Sequence, residues 1–240
     1  MKDTKWFLQI VISFTVGAAF FLVIFYLAKD KKDLNNFLSK PNDQAAAEEV
    51  SVNHINDVSK ITRDDFLWGN LASKVQLIVY MDFDCLFSAQ FRQTLNQIRS
   101  AYGDRVAIAI RDFPLDSHPN APLAAQAFEC ARDQDKGEAM YNALFDNQGQ
   151  NDNNTDSLVA LADKLGLDQD KFKDCLTTSK YQAKVMQAKA DGKASGVNGT
   201  PTSFLNGRNI PGAYQFDDFT DSTGRKYDGL KTLIDKELNK

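Results

Sequence analysis

The sequence predicts an α/β domain, and three observations carry that expectation. A short apolar run ending at Met81 passes into a helical pattern that starts at Cys85, and a second apolar run follows at 106–111. Helical spacing then occupies 121–192 almost without interruption. Strand character returns at Thr202–Leu205 and the chain closes on an amphipathic stretch, so the order reads β-α-β, helices, β-β-α.

The 240 residues give room for one sizeable domain and an appendage. Residues 6–28 hold no charge, and as a helix they would span roughly 35 Å, enough for the hydrocarbon core of a bilayer. Trp6 and Tyr26 stand near the ends, where amphipathic aromatics favour the interface. A cleaved signal peptide is the rival, but no small-residue cleavage site closes the run after Phe20. The expectation is an uncleaved single-pass anchor within 1–32, followed by a polar tether over 33–60 and a folded domain over 61–240. Lysines flank the span on both sides, so charge does not orient it. The domain is placed on the extracytoplasmic side of the cell membrane from the chemistry expected of it. Residues 1–32 carry five Lys and two Asp, so the chain's net −4 leaves −7 for the remainder. That acidity argues against a nucleic-acid partner.

Within the domain the first strand is Val75–Met81. A turn, Asp82-Phe83-Asp84, leads to a helix over 85–102, with Phe87, Phe91, Leu95 and Ile98 expected on one face. Gly103 ends it, and a second strand at 106–111 is expected to run parallel to the first. Helices are expected at 121–133, 137–145, 156–165, 168–177 and 181–190. Asp156 and Asp168 read as N-caps, and Gly166 and Gly192 as terminators. Asn206-Gly207 is a strong hairpin-turn signal between Thr202–Leu205 and a return strand at 208–213. Leu230, Leu233, Ile234 and Leu238 mark the last helix.

Cys85 is the candidate centre. Unpaired backbone N–H groups and the dipole at a helix start favour negative charge, which lowers a thiol's pKa and makes the reactive thiolate. Cys85 is therefore expected to be accessible and activated. The plainer alternative is a small buried residue at a strand–helix joint.

Four stretches together carry a resemblance: Asp82-Phe-Asp-Cys-Leu-Phe-Ser88; Arg111-Asp-Phe-Pro-Leu115 with His118-Pro119; Glu129-Cys-Ala131; and Gly196-Val-Asn-Gly-Thr-Pro-Thr-Ser-Phe204 with Asn206-Gly-Arg208. In consistent order over about 60–240, the chain resembles the DsbA-like disulfide oxidoreductases of the thioredoxin superfamily. The resemblance implies a thioredoxin fold with a helical insertion over about 120–192. It also implies that Cys85 is the attacking cysteine, and that Pro201 follows a cis peptide bond which sets the Thr200 backbone beside the sulfur to hold substrate chain. The family pattern places a second cysteine where this sequence has Ser88. Ser88 can hydrogen-bond a thiolate, but it cannot form an internal disulfide or resolve a mixed one by thiol exchange.

The resemblance gives Cys130 and Cys175 no catalytic match, and both fall in the insertion. They are expected to form a structural disulfide; two buried reduced cysteines are the alternative. His118 reads as a cap or surface residue rather than a base. No metal is expected, since His54 and His118 are the chain's only histidines and no Cys-x-x-Cys spacing occurs; no cofactor is expected either.

Two functions follow. One is a membrane-anchored monothiol oxidoreductase that forms mixed disulfides with cysteine-containing polypeptides in extracytoplasmic protein folding, with an external thiol or redox partner to resolve them. The other is a non-catalytic binding or chaperone module that holds extended chain in the groove near Pro201.

Overall fold

The computed structural model describes residues 58–148 and 153–240. Its five-stranded sheet has the order β1-β3-β2-β4-β5. Strand β2 (Val75–Met81) runs parallel to β3 (Val106–Asp112), while β1 (Phe66–Trp68), β4 (Thr202–Leu205) and β5 (Arg208–Pro211) are antiparallel to their neighbours. The parallel pair lies at the centre and is covered on both faces, which is why its strands read as nearly continuous apolar runs. Alternation still sorts the side chains: Leu77, Val79 and Met81 join the larger core, Ile78 and Tyr80 the smaller one on the other face.

Helix α1 (Leu86–Tyr102) follows β2 and buries Ser88, Phe91, Leu95, Ile98 and Tyr102 against the larger core. Phe87 departs from the expected stripe: it is 59% exposed, because the buried face of the helix starts one position later, with Ser88 inward ahead of Phe91, Leu95 and Ile98. Five helices form the insertion: α2 (Ala121–Arg132), α3 (Gly137–Asp146), α4 (Thr155–Lys164), α5 (Gln169–Thr177) and α6 (Gln182–Ala194). Asp168 caps α5 by accepting from Lys171 N–H, as expected. Asn154, not Asp156, caps α4 through Ser157 N–H, and Asp156 lies in the first turn where the dipole still favours its charge. Gly166 follows α4 at φ +72°. Gly192 does not end α6 but lies inside it, and its lack of a side chain is explained by packing: a Cβ there would come within 2.8 Å of the Phe113 ring and 2.9 Å of the Tyr80 ring. The chain turns instead at Gly196, φ +87°.

The hairpin at Asn206-Gly207 forms with both residues at positive φ, as a type I′ turn demands. Its return strand stops at Pro211. A small hairpin, β6 (Phe219–Thr220) and β7 (Lys226–Tyr227), precedes α7 (Leu230–Leu238), which buries Leu230, Leu233 and Ile234. Cys130 on α2 and Cys175 on α5 are joined in a disulfide, with Cα atoms 6.0 Å apart. The segment entering the domain is gripped by Arg111, which donates to the Ser59 and Lys60 carbonyls and forms a largely buried pair with Asp65 at 2.7 Å. The expected anchor at 6–28 lies outside the described residues, as does most of the tether. Among the described residues no helix is long and apolar enough to cross a membrane.

Candidate active site

The site assembles where β2 ends. Beyond Met81 the chain turns through Asp82-Phe83-Asp84, closed by Cys85 N–H donating to the Asp82 carbonyl at 3.1 Å. Phe83 holds the turn down: its buried ring lies 5.0 Å from Phe145 and 5.3 Å from Phe128, centroid to centroid. Cys85 is the N-cap of α1 in extended conformation, and its carbonyl accepts the Ala89 N–H. No side chain caps this helix, so its first N–H groups have no side-chain acceptor.

The Thr200-Pro201 peptide bond is cis, and the Cys85 Sγ donates to the Thr200 carbonyl at 3.2 Å. The loop is fixed on both sides by Thr202 Oγ1 donating to the Gly199 carbonyl and by Gly212 N–H donating to the Pro201 carbonyl, each at 2.8 Å. Cys85 and the cis Thr200-Pro201 bond thus lie side by side, the arrangement the family resemblance implies. The expectation of an accessible sulfur is corrected, however. Cys85 is 5% exposed, because the Thr200 loop closes over a junction that would otherwise be open. The exposed part of the site is apolar: Leu86 is 63% and Phe87 59% exposed immediately beside the sulfur.

Ser88 is fully buried, and its Oγ accepts from Asp82 N–H at 3.3 Å. Asp82 is the residue the sequence reading missed. Its buried carboxylate accepts from Asp84 N–H and Leu115 N–H at 2.7 Å each, and meets His118 Nδ1 at 2.9 Å. The turn that carries Cys85 and the loop after β3 are therefore tied through one carboxylate. His118 is a partner of this hub rather than a free surface residue. A pair 36 residues apart leaves no local periodicity to find it by; the only hint was a carboxylate in the turn before Cys85. Asp84, beside Cys85, has its pKa raised chiefly by burial, against the opposing hydrogen bond from Asn153 Nδ2. Among the described residues no cluster of three His, Cys, Asp or Glu is placed to hold a metal ion.

The arrangement offers one sulfur, a backbone carbonyl hydrogen-bonded to it, and a buried hydroxyl three residues on. A family model described as thioredoxin matches residues 62–235. The chain belongs to this thioredoxin family. Among solved structures, the fold resembles the thiol-disulfide exchange protein alpha-DsbA2 from Wolbachia pipientis, with TM-score 0.62, 18% identity, and 78% of this chain and 96% of that one covered. BdbD from Bacillus subtilis, oxidised, gives TM-score 0.61 at 19% identity, covering 73% and 94%. These likenesses establish a DsbA/BdbD-type thioredoxin fold. By sequence, the chain is 30% identical over 150 residues to a Na(+)/H(+) antiporter NhaA from Herminiimonas arsenicoxydans, covering 62% of this chain and 24% of that protein. It is also 30% identical over 154 residues to NhaA 1 from Salinispora arenicola, covering 64% and 23%. This thioredoxin-family chain therefore spans about a quarter of the length of the curated relatives it matches.

Proposed function

We propose that the protein is a membrane-anchored, extracytoplasmic thiol–disulfide oxidoreductase that works with one thiol. The observation that carries this reading is Cys85 Sγ against the Thr200 carbonyl at the cis Thr200-Pro201 bond, with Ser88 at the resolving position. In the forward step the Cys85 thiolate attacks a substrate disulfide. One sulfur joins Cys85 and the other leaves as a thiolate. A second thiol, from the substrate or from a small thiol such as glutathione, then attacks the mixed disulfide and releases Cys85. Ser88 cannot make that second attack, so the resolving thiol is external. Residues 6–28 supply the anchor, and relatives in which a similar region forms part of a Na(+)/H(+) antiporter are consistent with attachment to a membrane. The polypeptide partners are cysteine-containing chains.

The test is turnover of a dithiol peptide with glutathione disulfide as oxidant, comparing wild type, Ser88→Cys and Cys85→Ala. Wild type should be slow and dependent on glutathione, Ser88→Cys should form an internal disulfide and turn over faster, and Cys85→Ala should be inert. Wild-type turnover as fast as Ser88→Cys would refute the monothiol reading. A specific observation favours a second reading, a module that holds polypeptide without redox chemistry. The sulfur is buried while Leu86 and Phe87 lie exposed beside it, offering an apolar surface to an extended chain. A Ser88→Cys protein that forms its disulfide but never oxidises the peptide would decide for that reading.

A further inference from the structure

The segment that leads into Thr200 borders a cavity of about 330 Å³, lined by Phe113, Leu115, Asp116, Lys189, Lys193, Val197 and Asn198. Lys189 is unusual. Its side chain is 9% exposed, yet its ammonium reaches the cavity and bonds Asp116 Oδ1 at 2.5 Å. A lysine this buried requires an anion, since an unpaired buried ammonium is costly. The anion that meets it is itself 83% exposed, carried on the loop after β3. Lys193, one helical turn on, places its Nζ 3.7 Å from the other Asp116 oxygen. Two ammonium groups thus share one solvated carboxylate, and the cavity keeps a net positive charge in a domain that is acidic as a whole.

One residue of the cavity's lining is tied to the sulfur's surroundings. Asn198 precedes Thr200 by two residues, which span at most about 7 Å of chain, and the Thr200 carbonyl contacts Cys85 Sγ, so the Asn198 Cα lies within about 13 Å of that sulfur. A glutamate two residues from a cysteine disulfide-linked to Cys85 reaches equally far: about 7 Å of backbone plus the two side chains. The loop carrying Asp116 is also joined to the site, because Leu115 N–H donates to Asp82.

We propose that this cavity is a carboxylate subsite for the thiol joined to Cys85, and that Asp116 occupies it until that carboxylate arrives. Lys189 fixes the anion at the buried end and Lys193 draws it in from solvent. The apolar walls at Phe113, Leu115 and Val197 take the methylene groups that carry it. The preferred partner is a cysteine peptide with an acidic group two or three residues from its cysteine. A segment of polypeptide and a small acidic thiol such as glutathione share this chemistry. The inference rests on Cys85 being the reacting thiol.

The experiment uses the full chain in detergent micelles and cysteinyl peptides activated as 2-thiopyridyl disulfides. The Cys85 thiolate attacks the peptide sulfur, the bond to the pyridyl sulfur breaks, and 2-thiopyridone leaves and is read by its absorbance. Peptides carry Glu, or Gln in its place, two or three residues to either side of cysteine. The same activated disulfide of glutathione and of its diamide separates the small-thiol source from the polypeptide one. At low salt the acidic member of at least one pair should react about fivefold faster, the scale of a partly exposed ion pair, and the advantage should fade in high salt. Lys189→Met should bring the acid-to-amide ratio near one, the exposed Lys193→Gln should lower it with little risk to folding, and Asp116→Asn should raise it. Equal rates for acid and amide in every pair, with Cys85 reacting, would overturn the subsite alone. A ratio unmoved by Lys189→Met and Lys193→Gln would do the same. No release from any probe, or release that persists in Cys85→Ala, would remove the Cys85 reading and the subsite with it.

Discussion

Asp82 and His118 are joined by a 2.9 Å contact from a fully buried carboxylate to an imidazole nitrogen, which fastens the loop after β3 to the turn that presents Cys85. Three groups hydrogen-bond this one carboxylate. Asp82→Ala leaves two backbone N–H groups without their acceptor and should cost about 3 kcal/mol, since each unmet donor costs about 1–3 kcal/mol. Asp82→Asn should do little better, because its amide would turn a donor toward one of those N–H groups. His118→Ala removes only a partly exposed partner and should cost less than half as much. Urea midpoints of the three variants give the comparison, and equal losses for Asp82→Ala and His118→Ala would contradict the hub.

Peptide mass mapping without reduction should recover Cys130 and Cys175 linked and Cys85 free. Replacing both with alanine should cost about 4 kcal/mol by the chain-entropy argument for a loop of this size. Recovery of both as free thiols from an oxidising compartment would overturn the bridge and weaken the extracytoplasmic placement.

Burial, and then the like charge of Glu129, push the Asp112 carboxyl well above the usual carboxylate range, against the opposing pull of Lys184 and Arg132. A carboxyl whose folded pKa lies above its unfolded one binds more protons in the native state. Its effect on stability therefore becomes less favourable as pH rises from the ordinary carboxylate range through the folded value. Groups such as Asp221, lowered to about 2 chiefly by the Thr223 hydroxyl, act in the opposite sense at low pH. The clean observable is a difference: Asp112→Asn should gain stability relative to wild type as pH rises from about 4 to 8. Parallel urea midpoints for the two proteins across that range would show that Asp112 is not shifted.

Gly192→Ala should destabilise although alanine is the better helix former. The gain in backbone entropy is about 0.5–1 kcal/mol, while a methyl pressed on Phe113 and Tyr80 costs about 1–3 kcal/mol. A net loss of about 1–2 kcal/mol in thermal or urea unfolding is expected. A rise in stability would mean that the rings yield freely.

Much of the scaffold was legible because it rests on local periodicity. Val75–Met81 and Thr202–Leu205 are continuous apolar or β-prone runs bounded by turn chemistry, and they appear at the expected bounds. Phe66–Trp68 was missed because three residues are too few to show a period, and its strand character comes from pairing with β3. Gly192 misled for a related reason. Glycine at a helix end and glycine under an aromatic ring look alike in sequence, and only the distant Tyr80 and Phe113 distinguish them. At the site, Cys85 and Thr200-Pro201 could be named from motif resemblance. The covering of the sulfur and the Asp82–His118 tie are products of packing between separate segments.

The sheet ends in two short borders, three residues of β1 on one side and four of β5 on the other, and β5 finishes in Pro211, which has no N–H to offer. A passing unfolded chain finds little there to zip onto as an added strand. Under the proposed function, in which cysteine-containing chains are the partners, these short borders would keep the scaffold from seeding aggregation of the chains it meets, and would leave the Thr200-Pro201 loop as the place where their backbone engages.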